Sequence, residues 1–173
     1  MTNYVAFLRA VNVGGTGKLP MHDLRKMCIE LGLAHVQTHI ASGNVVFSSD
    51  KSMRVVKTAL EKKLRTYAGK PVEVFVRTSS ELRMILSKNP FPGEDPKRTV
   101  AVFLDRKPPK DAISDAVGQI DEEMSIGKQE IYVYYPSGMG RSRLRIPAAK
   151  DGTARNMNTI RKMTELAAGH SAS

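Results

Sequence analysis

Residues that could bind an anion are concentrated in three short segments of the chain. Each segment combines backbone amides near glycine, orientable polar side chains and positive charge. The candidate ligand-binding residues are Arg9, Asn12, Gly14, Gly15 and Lys18 in the first segment, Ser42, Gly43 and Asn44 in the second, and Thr153, Arg155, Asn156 and Asn158 in the third. The same residue types are also common turn formers, so a structural role for each remains open.

The glycine-rich stretch Gly14-Gly-Thr-Gly-Lys18 does not match a nucleotide-binding P-loop. That motif requires glycine five positions before the Gly-Lys pair and serine or threonine directly after it. Asn12 and Leu19 occupy those positions instead. The glycines are also wrongly spaced for a dinucleotide fingerprint, so both classes of nucleotide enzyme are disfavoured.

Groups suited to catalysis or metal binding are scattered. The four histidines form no complete metal-ligand set with another histidine, cysteine or acid, and no pair of carboxylates or catalytic triad stands out. Cys28 follows Met27 in a helical pattern, which favours a partly buried structural thiol. We therefore predict no metal and no cofactor, and we assign no catalytic residue.

The charge of the chain favours anionic partners. The 173 residues carry a net charge of +10, and a cationic surface attracts phosphate-rich molecules. One basic cluster coincides with the polar face of a predicted helix, whereas the second, at 141–162, is mixed with glycine, asparagine and threonine. The expected partner is a nucleic acid or a small anionic ligand; the oligomeric state is left open.

Three features that the sequence lacks bear on the cellular compartment of the protein. It has no apolar run long enough to span a membrane, no basic-then-apolar leader, and a single cysteine that cannot form an intrachain disulfide. These features predict a cytoplasmic protein without a membrane segment.

Hydrophobic patterns divide the first half into strand, helix, hairpin, helix and strand. The predicted elements are a strand at Tyr4–Ala10, a helix from Met21 to Gly32, a hairpin across Val36–Phe47, a helix at Ser52–Tyr67 and a strand at Val72–Arg77. This order is typical of a ferredoxin-like (βαββαβ) unit. In that topology the loop after the first strand and the turn after the second lie at the same end of the sheet. The sequence therefore places Arg9–Lys18 beside Ser42–Asn44.

The pattern of the second half predicts a less regular copy of this unit. A helix with a capping box begins at Thr78, and the three prolines of Asn89–Lys97 mark a boundary between a unit at 1–89 and a unit at 90–173. A strand at Thr99–Leu104, a helix from Pro108 and a hairpin over 123–135 follow. A C-terminal helix at Asn156–Ala168 is preceded by Thr153 as its cap, and no fourth strand is evident. The fold class is α+β, with two ferredoxin-like (α/β-plait) halves.

Read together, the motifs resemble those of an uncharacterised bacterial family, domain of unknown function 1697. The resemblance rests on Leu8–Gly15 with Lys18 and Met21, on Ser42–Phe47, on Asn89-Pro-Phe91, and on Thr153–Thr159. It implies two ferredoxin-like halves in one chain and no established activity. The sequence departs from the family pattern at Met157, where a tryptophan is usual, and in a shortened segment at 144–152, which bears on the closing strand.

Three hypotheses for function follow from these observations. The first is a non-enzymatic binder of a phosphate-rich or anionic ligand, RNA or nucleotide. The alternatives are an enzyme acting on a small anionic substrate, and a structural or oligomerising interaction protein. Tyr4, Phe7 and Phe47 occupy strand positions similar to the stacking positions of RNA-recognition sheets, although the glycine-aromatic consensus of those sheets is absent.

Overall fold

A computed structural model describes residues 1–12 and 18–169. Over these residues the protein is a mixed α+β structure with two four-stranded antiparallel sheets and four α-helices. The elements are β1 (Thr2–Leu8), α1 (Met21–Glu30), β2 (Ala34–His39), β3 (Asn44–Ser49), α2 (Met53–Ala68), β4 (Val74–Thr78), α3 (Ser79–Ser87), β5 (Thr99–Phe103), β6 (Glu123–Ile126), β7 (Glu130–Tyr134), β8 (Thr153–Asn156) and α4 (Met157–Ala168). None of the described helices is long and apolar enough to cross a membrane.

The chain forms two compact units. Unit 1 contains Met1–Met84 and the chain from Lys162 onward, and unit 2 contains Ile85–Arg161. Two helices cross the divisions, because α3 includes residues 84 and 85 and α4 includes residues 161 and 162.

Unit 1 has the strand order β2-β3-β1-β4, with every neighbouring pair antiparallel. Alternate strand residues such as Ala6, Leu8 and Phe47 form one buried cluster with residues of both helices, including Leu24 from α1 and Leu60 from α2. Each helix contributes residues at helical spacing, and each strand contributes every second residue, so one sheet face and one stripe of each helix are buried together.

The boundaries of α2 follow from its flanking residues. The Ser52 hydroxyl accepts a hydrogen bond from the Val55 amide, and Gly69 ends the helix in the left-handed conformation, with a φ of 71°. The capping box predicted at Thr78 is also present at the start of α3. The Glu81 amide donates to the Thr78 hydroxyl at 3.1 Å, and the Thr78 amide donates to the Glu81 carboxylate at 2.9 Å.

Unit 2 repeats the strand arrangement, with the order β6-β7-β5-β8 and antiparallel pairs. The predicted helix from Pro108 is wrong, because residues 110–115 form turns and no helix. Of the apolar residues that suggested it, Val117 and Ile120 are exposed, so their spacing does not reflect a buried helix face.

The closing strand of unit 2 was not predicted. β8 pairs with β5 in a register that places Ala101 opposite Arg155 and Phe103 opposite Thr153. The strand lacks apolar alternation because its two buried residues, Thr153 and Arg155, are polar. The segment that suggested a capped helix start is therefore a buried polar strand that leads into α4.

Candidate functional site

Asn12 ties the loop after β1 to the turn between β2 and β3. Its amide nitrogen donates to the carbonyl oxygens of Leu19 at 2.8 Å and Ala41 at 2.6 Å. Its amide oxygen accepts a hydrogen bond from the Leu19 amide at 2.6 Å. The side chain therefore holds residues 12 and 19 together and joins both of them to the turn.

The backbone at the start of this loop has an unusual conformation. Ala10 and Asn12 have φ values of 55° and 56°, in the left-handed region that residues other than glycine seldom adopt. Asparagine tolerates this region better than most residues. The chain thus leaves the regular strand conformation at Ala10, one residue after Arg9, whose amide still donates to the Glu73 carbonyl at 3.0 Å.

Gly43 allows the turn to lie against the base of the loop. Its φ is 87°, and a Cβ atom there would lie 2.6 Å from Cγ2 of Val11 and 2.9 Å from Cβ of Leu8. The Leu8 amide also donates to the Gly43 carbonyl at 2.9 Å. The predicted proximity of the first two segments is therefore present among the described residues. Gly14 and Gly15 lie outside the described part of the chain.

Asn44 shapes the turn from inside the sheet. Its side chain is fully buried and donates to the His39 carbonyl and the Ser42 hydroxyl, both at 2.9 Å. These bonds fix the path of the turn and the position of Ser42. Asn44 thus stabilises the turn through hydrogen bonds made inside the sheet. A direct role in ligand binding stays a prediction.

Basic groups lie at the same end of unit 1. A cavity of about 210 Å³ is lined by Lys18 and Lys70 together with apolar residues that include Val11 and Leu19. Lys18 is exposed and Arg9 is partly buried. Helix α1 begins directly after the loop, and its N-cap, Pro20, makes no side-chain capping bond. The arrangement combines two ammonium groups with a helix start that has no side-chain cap.

The third predicted segment lies in unit 2 and has a different local structure from the one predicted. Thr153 does not cap α4, because it belongs to β8. The cap is Asn156, whose side-chain oxygen accepts a hydrogen bond from the Thr159 amide at 2.9 Å. Asn158 is exposed in the first turn of α4.

Arg155 is buried in the strand rather than exposed at a helix start. Its Nη1 donates to the Thr153 hydroxyl at 2.7 Å and to the Ala154 carbonyl at 2.9 Å. Burial lowers the pKa of Arg155 to about 10, so the guanidinium keeps its charge at neutral pH. The side chain is engaged within its own strand, and its contact with a ligand stays a prediction.

A second buried arginine occupies the equivalent position in unit 1, and sequence reasoning missed it. Arg77 lies opposite Val5 in β4, as Arg155 lies opposite Ala101 in β8. Its Nη1 donates to the carbonyl of the preceding residue, Val76, at 3.0 Å. In both units the next residue caps the following helix. An apolar residue, an arginine and a capping residue before a helical pattern is the sequence signal that could have revealed this correspondence.

Comparison with known proteins supplies the family. The family model described as "Protein of unknown function (DUF1697)" matches residues 1–132. The chain belongs to this family. Among solved structures, it is similar to a conserved bacterial protein, SP0830, from Streptococcus pneumoniae, with a TM-score of 0.79 and 24% sequence identity over 96% of this chain and 98% of that one. No curated protein matches the sequence significantly.

At that identity the structural likeness shows the fold of this DUF1697 protein and nothing further. Cys28 is fully buried, and burial raises the pKa of its thiol to about 12, which makes it a poor nucleophile at neutral pH. Within residues 1–12 and 18–169, no three histidine, cysteine or acidic side chains cluster as metal ligands.

Proposed function

We propose that this protein binds a small phosphate-bearing or otherwise anionic ligand, of which a nucleotide is the first class to test. The proposed site is the rim of unit 1 formed by residues 9–12, residues 18–22 and the turn at 40–43. The observation that carries the proposal is the pair of bonds from Asn12 to Leu19 and Ala41. These bonds hold Lys18, next to Leu19 in sequence, close to the turn.

Electrostatics at this rim favours a negative ligand. Lys18 and Lys70 line the same small cavity, and the first amides of α1 carry the positive end of the helix dipole. Asp23 is the acid nearest to that helix start in sequence. One of its carboxylate oxygens accepts a hydrogen bond from the Tyr67 hydroxyl at 2.9 Å, and the other lies 3.0 Å from Nε2 of His22, so both oxygens already have neighbouring partners.

The position of the aromatic residues favours a small ligand over single-stranded RNA. Sequence-tolerant RNA binding usually stacks bases on exposed aromatic side chains. Tyr4, Phe7 and Phe47, which occupy the strand positions suited to that role, are all buried. RNA is therefore included in the binding experiment as an alternative ligand. The enzymatic and oligomerising alternatives stay predictions.

The remaining expectations from the sequence are part of the same proposal. We propose that unit 1 has the ferredoxin-like arrangement, that unit 2 is a less regular copy with the same strand order but no α-helix between its strands, that the domain boundary lies between residues 89 and 90, and that the protein works in the cytoplasm. The strand orders β2-β3-β1-β4 and β6-β7-β5-β8 support the first of these. We propose that the site binds this ligand without a metal or other cofactor.

Calorimetric titration with ATP, pyrophosphate and a short RNA tests the proposal. Replacing Lys18 by glutamine should weaken ATP binding about fivefold to tenfold, because it removes a charge-assisted contact. The matched control is Lys110→Gln, an equal charge change at an exposed lysine of unit 2, which should leave ATP affinity unchanged. Affinity of the native protein should fall as salt is raised.

Two results would count against the proposal. The first is an absence of ATP or pyrophosphate binding at millimolar concentration. The second is an equal loss of affinity in the Lys18 and Lys110 variants, which would indicate general attraction of polyanions to the +10 chain. RNA binding that exceeds ATP binding and depends on Lys18 alone would move the ligand class to nucleic acid.

A further inference from the structure

Unit 2 carries an apolar groove on the sheet face that contains its core. In unit 1 the corresponding connections between strands form α1 and α2. In unit 2 the connections at 104–122 and 135–152, which the structure describes completely, contain no α-helix. They leave a groove of about 580 Å³ lined mainly by apolar residues. These include Val102 and Ala154 from the sheet and Leu144 and Ile146 from the second connection.

The volume of this groove falls within the range of small-molecule binding sites. Binding pockets for small molecules commonly span about 300–1,000 Å³ and combine apolar walls with a few polar groups. Here the polar groups are specific. Tyr135, Arg145 and Lys150 are the residues of the lining that bear a hydroxyl or a charge.

Tyr135 supplies an observation independent of the groove's shape. The side chain is 8% exposed, and its hydroxyl makes no hydrogen bond with any described residue. The hydroxyl oxygen itself keeps contact with solvent, so it can donate a hydrogen bond to a group bound in the groove. Burial, and secondarily the charge of Glu122, raises the pKa of Tyr135, so the hydroxyl stays protonated and available as a donor.

Arg145 is held in place by its backbone and leaves its side chain to solvent. Its amide and carbonyl both bond to Val117, at 2.8 and 2.9 Å, and its guanidinium forms no ion pair with a described residue. The nearby acid Glu122 is already engaged, because its carboxylate accepts hydrogen bonds from the Ser142 hydroxyl and the Ile120 amide. Arg145 can therefore meet an acidic group at the groove.

We propose that this groove binds a single-chain amphipathic anion, that is, an unbranched apolar chain bearing one acidic headgroup. The chain lies against Val102, Leu144, Ile146 and Ala154. The headgroup accepts hydrogen bonds from Arg145 and from the Tyr135 hydroxyl, with Lys150 as a second cation. The site lies in unit 2 and is independent of the rim proposed for unit 1.

Titration of the full chain with hexanoate, octanoate and decanoate, below micelle-forming concentrations, tests the proposal. Affinity should rise about threefold to fourfold for each added methylene that enters the groove. Decanol and decyltrimethylammonium, which have the same chain without an acidic headgroup, should bind at least about tenfold more weakly than decanoate. Decyl phosphate at the same chain length shows which acidic headgroup is preferred.

Single substitutions distinguish binding in the groove from general attraction of anions to the basic protein. Arg145→Gln and Tyr135→Phe should each weaken decanoate binding about fivefold or more, because each removes a donor to the headgroup. Arg143→Gln is the matched control, since Arg143 is an exposed cation of the same segment that does not line the groove. Tyr135→Phe should keep the native unfolding midpoint, and Lys18→Gln should leave decanoate affinity unchanged.

The proposal is overturned if decanol binds as tightly as decanoate, or if Arg143→Gln weakens binding as much as Arg145→Gln. It is also overturned if the protein binds anionic phospholipid vesicles but not monomeric decanoate, or an acidic peptide but not decanoate. Ala154→Leu, which narrows the groove, should abolish the dependence on chain length. If that variant does not fold, the Tyr135→Phe result decides.

Discussion

Replacing Asn12 by alanine should destabilise unit 1 substantially, because the side chain makes three short hydrogen bonds to backbone groups. Two are donated to the carbonyls of Leu19 and Ala41, and one is accepted from the Leu19 amide. At about 1 kcal/mol each, their loss amounts to about 3 kcal/mol. Alanine also fits poorly at the φ of 56° that Asn12 adopts, which adds about 1 kcal/mol.

Two further variants divide this effect into its parts. Asn12→Gly removes the same bonds without the penalty of a left-handed φ, so its cost should be about 3 kcal/mol, lower than that of alanine. Asn158→Ala is the matched control, because Asn158 is exposed on α4, and it should change stability by less than about 0.5 kcal/mol.

Urea unfolding followed by circular dichroism gives the free energy of unfolding of each variant. If the slope of the unfolding free energy against urea concentration is unchanged, the surface exposed on unfolding is the same in every variant. A cost below about 0.5 kcal/mol for Asn12→Ala would refute the argument. Asn12 would then not close the loop, and its amide would be available to a ligand instead.

Two further predictions test the packing of unit 1. Gly43→Ala should lower the free energy of unfolding by more than about 2 kcal/mol, because the new Cβ would lie 2.6 Å from Cγ2 of Val11. The control is Gly69→Ala, which has a similar φ but nothing within 4 Å of the new Cβ, and it should cost only about 1 kcal/mol. Equal urea midpoints for the two variants would contradict the close packing of the turn. The Cys28 thiol should resist a thiol reagent at pH 8 and react once urea unfolds the chain. Since burial raises its pKa from 9.0 to about 12, its contribution to stability is complete below pH 9 and is lost as pH rises toward 12. The native protein should therefore lose stability between pH 9 and 11 faster than Cys28→Ala, and rapid labelling of folded protein would contradict this account.

The elements of unit 1 could be predicted because hydrophobic period and local signals agree there. The helices at Met21 and Met53 have apolar residues at helical spacing, and the hairpin carries a Gly-Asn turn. The end of unit 2 could not be predicted in the same way. β8 buries a threonine and an arginine, and a strand held by polar groups has no apolar alternation to detect.

The false helix at Pro108 has a similar explanation. Ile113, Val117 and Ile120 have helical spacing, but Val117 and Ile120 are exposed. Gly118, with a φ of 76°, packs against the Arg143 backbone so closely that a Cβ would lie 2.2 Å from its carbonyl oxygen. That tertiary contact fixes a turn, and it involves a residue 25 positions away, which a local pattern does not reveal.

The candidate site could be predicted in its location but not in the roles of its residues. Topology alone brought the loop after β1 to the turn after β2. The asparagines, however, proved to bond mainly to backbone groups, Asn12 to Leu19 and Ala41 and Asn44 to His39. Side-chain partners depend on geometry at the scale of a hydrogen bond, which residue type and spacing do not determine.

The most direct test of the proposed function is the amide NMR spectrum of the protein titrated with pyrophosphate. The account predicts saturable shifts confined to residues 9–12, 18–22 and 40–43, with the largest changes near Lys18 and the first turn of α1. Shifts spread over the basic surface of α2, or no shifts at millimolar pyrophosphate, would contradict the claim that this rim binds an anion.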